Sequence, residues 1–132
     1  MSTPSVGIVL VSHSAELAEG AANLAAQVSG GTVTIVAAGG TDDGDLGTSA
    51  AKVEQALRDA DQGAGVVVLP DLGSAVLTVR AVLEDYGSAG SVLLTDAPFV
   101  EGAVAATVIA AAGGDLKAVA AAAEEARHAR KL

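Results

Sequence analysis

Val6-Gly7-Ile8-Val9-Leu10-Val11, running into Ser12-His13-Ser14, is the stretch on which the fold turns. An apolar run without polar alternation is the pattern of a β-strand buried on both faces, as in a parallel sheet. A helical pattern begins almost at once, near Glu16. At the carboxyl end of such a strand the next helix offers unpaired N–H groups and the positive end of its dipole, so an anion bound there is stabilised. His13 stands at that junction, where an imidazole is placed to carry or contact phosphate.

Working outward, three more β-branched runs follow, at Thr32–Val36, Val66–Leu69 and Ser91–Thr95. Between them the apolar residues recur at helical spacing. Leu17, Ala21, Leu24, Ala25 and Val28 share one face, Val53, Ala56, Leu57 and Ala60 a second, and Val79, Val82, Leu83 and Tyr86 a third. Strand then helix, repeated, predicts an α/β domain of three layers, a parallel sheet with right-handed crossovers and helices on both faces. After the fourth strand the Ala-rich stretch Val104–Ala112 and a segment from about Leu116, carrying Val119, Ala120 and Ala123, read as two further helices. The segment Pro98–Gly102 is the one place where a brief fifth pairing fits.

The 132 residues suit one domain, 1–132, with no internal repeat and no linker. Hydrophobic residues make up 51% of the chain but aromatics only 2%, so Ala, Val and Leu must build the core by close backbone approach. The absence of Cys removes disulfides and thiolate metal sites. The opening Met1-Ser2-Thr3-Pro4-Ser5 has no basic n-region, and no apolar run reaches membrane-spanning length, so a cytoplasmic protein is expected. Seven Lys and Arg against 16 Asp and Glu give a formal charge of −9, which repels nucleic acid and suits a protein partner with a basic face.

A parallel sheet delivers the carboxyl ends of all its strands to one edge. Ser12-His13-Ser14, Ala38-Gly39-Gly40, Pro70 to Ser74 and Asp96-Ala97-Pro98 therefore converge there. If the order reverses between the first and third strands, as in flavodoxin-like sheets, His13 and Asp71 are neighbours across the crevice. A carboxylate beside an imidazole decides which nitrogen keeps its proton and leaves the other as nucleophile. Gly73 and Ser74 open the third helix, and Gly47, Thr48 and Ser49 the second, so both offer N–H groups and hydroxyls to an anion; Thr48 and Ser74 are equally suited to capping. His128, near Arg127 and Arg130, reads as solvated.

Other chemistries find little support. Asp42, Asp43 and Asp45 lack the EF-hand spacing and its closing Glu, and Gly39 and Gly44 imitate a P-loop only until Asp45, which stands where its Lys belongs. No G-x-G-x-x-G follows the first strand and no G-x-S-x-G elbow occurs.

Val11-Ser12-His13-Ser14, Gly47-Thr48-Ser49-Ala50-Ala51-Lys52-Val53, Asp71-Leu72-Gly73-Ser74-Ala75 and Ala97-Pro98-Phe99-Val100-Glu101-Gly102 stand in that order over nearly the whole chain. Together they resemble the phosphocarrier subunits of the phosphoenolpyruvate-dependent dihydroxyacetone kinases, whose domain is similar to the mannose-type EIIA domain of the phosphotransferase system. The resemblance implies a flavodoxin-like sheet with one added antiparallel edge strand, a homodimer, and a phosphotransferase subunit working through a covalent phosphohistidine. His13 would receive a phosphoryl group from phospho-HPr and pass it to ADP held in the DhaL subunit; the ATP so regenerated would phosphorylate dihydroxyacetone bound to DhaK.

In related domains the Asp matching Asp71 hydrogen-bonds the active imidazole. Ser12, Ser14, Thr48, Gly73 and Ser74 are then the candidate phosphoryl-binding residues, and no metal or cofactor is called for. A chain ending at Leu132 leaves the donor to a separate protein. The alternatives are a mannose- or sorbose-type EIIA serving sugar transport, and a nucleotide-binding module without a covalent step.

Overall fold

Buried runs and amphipathic stretches fold as strand and helix in succession. In the computed structural model, which describes residues 4–87 and 91–132, the elements are β1 (Gly7–Ser12), α1 (Ala15–Ser29), β2 (Ile35–Gly39), α2 (Ala50–Ala60), β3 (Val66–Pro70), α3 (Gly73–Asp85), β4 (Val92–Leu94), α4 (Phe99–Ala111) and α5 (Leu116–Glu125), followed by a 3₁₀ turn at Ala126–His128. Met1-Ser2-Thr3, at the start of the stretch read above as lacking a basic n-region, lies outside the described residues. Among the described residues no helix is long and apolar enough to cross a membrane.

The sheet order is β2-β1-β3-β4 and every pairing is parallel. The chain therefore winds one way from β1 to β2 and the other way from β3 to β4, which opens a crevice at the carboxyl ends of β1 and β3. Alternating side chains of these two strands split the core. Ile8, Leu10, Val67 and Leu69 face α1, α4 and α5, whereas Val9, Val11, Val66 and Val68 face α2 and α3. All eight are 0% exposed, which is why neither strand shows polar alternation.

Four expectations shift. The second strand begins at Ile35 and ends at Gly39, three residues later than its β-branched run. Its register is set by β1, with Ile8 opposite Ile35 and Ser12 opposite Gly39, and its small end is required by packing. A Cβ on Gly39 would stand 2.6 Å from the Ser14 carbonyl oxygen and 2.7 Å from Ala15 Cα, so only glycine lets α1 start there.

Helix α1 is also rotated from the face its large residues predict. Ala18, Ala21 and Ala25 are buried, while Leu17, Leu24 and Val28 are 44%, 48% and 47% exposed. Small side chains on the inner face let the helix lie close to the sheet and to α4, leaving the larger ones at the rim.

The segment Pro98–Gly102 forms no strand. Pro98 occupies the N-cap of α4, where a missing N–H costs nothing, and Gly102 lets α4 approach Leu69 and α5 closely. Finally, the antiparallel edge strand implied by the resemblance is not found among the described residues.

Candidate active site

Ser12 ends β1 fully buried, and its hydroxyl donates to Asp71 Oδ2 at 2.9 Å while accepting the Ser14 N–H at 3.0 Å. The His13 N–H donates to the same carboxylate oxygen at 3.1 Å. Asp71 follows β3, and its own N–H donates to the Val11 carbonyl at 2.9 Å, which ties the carboxylate across the crevice. Its other oxygen, Oδ1, lies 3.1 Å from His13 Nδ1 and accepts the Leu72 N–H at 2.7 Å. Each carboxylate oxygen thus has two donors. Burial pushes the Asp71 carboxyl up, but the bonds from the His13 N–H, its ring, the Ser12 hydroxyl and the Leu72 N–H outweigh it and hold the group below its ordinary 3.8. Asp71 is therefore a charged, fixed acceptor, and it holds the proton of His13 on Nδ1.

The other ring nitrogen faces α3. Ser74 Oγ lies 2.6 Å from His13 Nε2, and with the ring proton on Nδ1 the hydroxyl is the donor. The imidazole side chain is 25% exposed, enough for a reactant to reach it, whereas that of Asp71 is 9% exposed. Helices α1, α2 and α5 have their first turns closed by the side chains of Ser14, Ser49 and Asp115. At α3 the N-cap is Leu72, which has no side-chain acceptor to offer. The N–H groups of Gly73 and Ser74, in the first turn, remain aimed outward beside the imidazole.

Thr48 approaches through the backbone. The Gly47 N–H donates to the His13 carbonyl at 2.9 Å, and Gly40 bridges to Thr48. The Thr48 Oγ1 atom is buried and has no hydrogen-bond partner in the protein, so its bonding capacity is unspent. A groove of about 570 Å³ runs from Asp71, Leu72 and Gly73 past Val76 and Arg80 to Asp96.

Of the residues singled out in the sequence, His13, Asp71, Ser12 and Ser74 form one hydrogen-bonded cluster. Gly73 stands beside it at the start of α3, and Thr48 stands near it with no printed bond to the ring. Ser14 is drawn away, since its hydroxyl accepts the Leu17 N–H at 3.2 Å and caps α1. Capping of α2 falls to Ser49 and not to Thr48, and the Ser74 hydroxyl is turned to the histidine and not to its own helix. His128 is 74% exposed and remote from this cluster in the fold. Sequence reasoning missed the Gly47 N–H that anchors the His13 backbone; the signal was the Gly39-Gly40 pair, whose tight geometry folds the 41–47 loop back onto β1.

A histidine braced by a carboxylate at the switch point of a parallel sheet, facing an uncapped helix end, defines an α/β domain organised around one imidazole. The family described as PTS system fructose IIA component, EIIA-man, matches residues 7–120. The phosphoryl donor subunit DhaM of the PEP-dependent dihydroxyacetone kinase of Pantoea ananatis is 44% identical over 119 residues, covering 86% of this chain and 25% of that protein. The DhaM of dihydroxyacetone kinase 2 from Listeria innocua is 37% identical over 105 residues, covering 78% of this chain and 84% of its own length. A crystal structure described as the unknown function protein EF1359 superposes with a TM-score of 0.82 at 33% identity, over 92% of this chain and 94% of that one. The chain belongs to the EIIA-man family, within its branch of DhaM phosphoryl donor subunits. It spans about a quarter of the Pantoea relative and most of the Listeria one.

Proposed function

We propose that this domain is a phosphohistidine carrier that links the phosphotransferase system to the phosphorylation of dihydroxyacetone. The observation that carries the reading is the division of labour around one ring, with Nδ1 held by Asp71 and Nε2 turned to Ser74 and the open end of α3. Nε2 then bears the lone pair that attacks phosphorus. As the Nε2–P bond forms, the bond to the donor's imidazole nitrogen breaks and its electron pair returns to the donor. The ring gains positive charge, which the Asp71 carboxylate balances. The Ser74 hydroxyl turns from Nε2 to a phosphoryl oxygen, joined by the N–H groups of Gly73 and Ser74 and by the unspent Thr48 hydroxyl.

The donor in this reading is phospho-HPr. In the second step a β-phosphate oxygen of ADP, bound in DhaL, attacks the same phosphorus and the electron pair returns to Nε2; the resulting ATP phosphorylates dihydroxyacetone held by DhaK. Transfer between two such nucleophiles needs no metal on this domain, because the charge is met by fixed dipoles. Reliance on phosphoenolpyruvate and ADP sets the protein in the cytoplasm. A homodimer is part of the proposal, supported by the exposed apolar stripe of Leu17, Leu24 and Val28 on α1 together with Val100 and Val108 on α4.

The test is incubation with labelled phosphoenolpyruvate, enzyme I and HPr. Acid-labile, base-stable phosphate should appear on His13, and discharge should follow on adding DhaL with ADP. Label that persists in His13→Ala would overturn the assignment.

A further inference from the structure

Three leucines stand in water around the imidazole. Leu46 is 80% exposed, Leu72 58% and Leu77 67%. Leu46 is joined to Gly47, whose N–H holds the His13 carbonyl, and Leu72 gives its N–H to the carboxylate that braces the ring. Leu77 lies three residues beyond Ser74 on α3, on the same face as the hydroxyl that meets Nε2. Single exposed leucines are ordinary, but three flanking one reactive atom are an apolar contact patch. Asp43 and Asp45, both exposed, precede Leu46 in its loop and give the patch an acidic border.

We infer that this patch is the docking face for the protein that delivers the phosphoryl group. That partner presents an apolar surface around its own phosphorylated side chain, bordered by Lys or Arg. The inference rests on the carrier reading above. Transfer from nitrogen to nitrogen brings both reacting atoms to within a few ångströms of one phosphorus, so the surface around His13 must be covered, and covering it with apolar side chains keeps water from the phosphoramidate. The acidic border favours a cationic partner and speeds its encounter. It repels a free nucleotide, and it repels a second copy of this chain, which would set one acidic loop against another.

The experiment measures the initial rate of His13 phosphorylation against the concentration of phospho-HPr in the intact protein. Leu46→Ser and Leu77→Ser should each raise KM for phospho-HPr about tenfold with little change in maximal rate. Asp43→Asn with Asp45→Asn should flatten the dependence of KM on salt. Phosphoramidate, a donor too small to need docking, should label wild type and all these variants at the same rate. An unchanged KM in both leucine variants, with normal labelling by phosphoramidate, overturns the docking face and leaves the carrier reading standing. A loss of self-association in the leucine variants without a change in KM assigns the patch to a second copy and overturns it as well. Failure of wild type to take label from either donor overturns the carrier reading, and this inference falls with it.

Discussion

Ser74 Oγ and His13 Nε2 lie 2.6 Å apart, on the side of the ring opposite Asp71. The two contacts divide the imidazole between a group that orients it and a group that waits at its nucleophilic atom. Ser74 also belongs to the first turn of α3, so one residue supplies a hydroxyl and an N–H to the same point in space.

Replacing Ser74 by Ala should therefore slow phosphorylation of His13 by about 10²-fold, the usual effect of losing one positioned donor. Ser74 is exposed, so stability should change by less than about 0.5 kcal/mol. Rapid-quench labelling and a thermal melt on the same variant check both halves.

The pH dependence of stability follows from Asp71, whose folded pKa lies below its unfolded 3.8. Above the unfolded value the carboxyl is ionised in both states and its stabilisation is complete. As pH falls the unfolded chain binds the proton first, and the contribution is lost as pH passes through the lower, folded value. Asp71→Ala should cost about 1–3 kcal/mol near neutrality, since it also removes the acceptor of the buried Ser12 hydroxyl. Urea titrations of both proteins should show the gap narrowing only in the acid range below about 4. A gap that is constant down to the most acid conditions would contradict the hydrogen-bond account.

Thr48 offers a sharper separation of stability from function. Its buried hydroxyl has no protein partner, so Thr48→Val replaces an unspent polar group by a methyl of similar shape. Stability should hold or rise by about 1 kcal/mol while phosphorylation slows. Should the rate stay at the wild-type value, Thr48 has no part in binding the phosphoryl group.

The exposed stripe on α1 makes a prediction about assembly. Leu24 is 48% exposed between Leu17 and Val28, and a charge there should be tolerated by the monomer but not by an apolar interface. Leu24→Glu should sediment as a monomer with wild-type circular dichroism. A wild-type mass for this variant would move the interface elsewhere.

The strands and most helix faces were legible in the sequence because burial on both sides leaves a continuous apolar run and helices leave a 3.6-residue period. Val53, Ala56, Leu57 and Ala60 are all buried on α2 as their spacing predicts. The same logic failed on α1, where size was taken as the sign of burial. There the inner face is alanine, because close approach to the sheet favours the smallest side chain. Strand β2 ended late for a related reason, since Ala37, Ala38 and Gly39 have weak strand preference and are held by pairing with β1 and by contact with α1. The Pro98–Gly102 segment misled because a proline before a short apolar run suits an extended edge and a helix start alike.

The linear order of residues by itself determined that His13 follows a buried strand, that Asp71 follows another, and that helices separate them. These are local facts, carried by hydrophobic period and by the place of each residue in its element. Which residues meet was decided by the tertiary structure. Asp71 reaches His13 across 58 residues of chain because β1 and β3 are paired neighbours, and Ser74 reaches it across 61 because α3 begins at that same edge. Hydrogen bonds between such distant residues are a matter of strand order and helix placement, which no local pattern contains. The division of the imidazole into a braced nitrogen and an open one exists only once the sheet has formed.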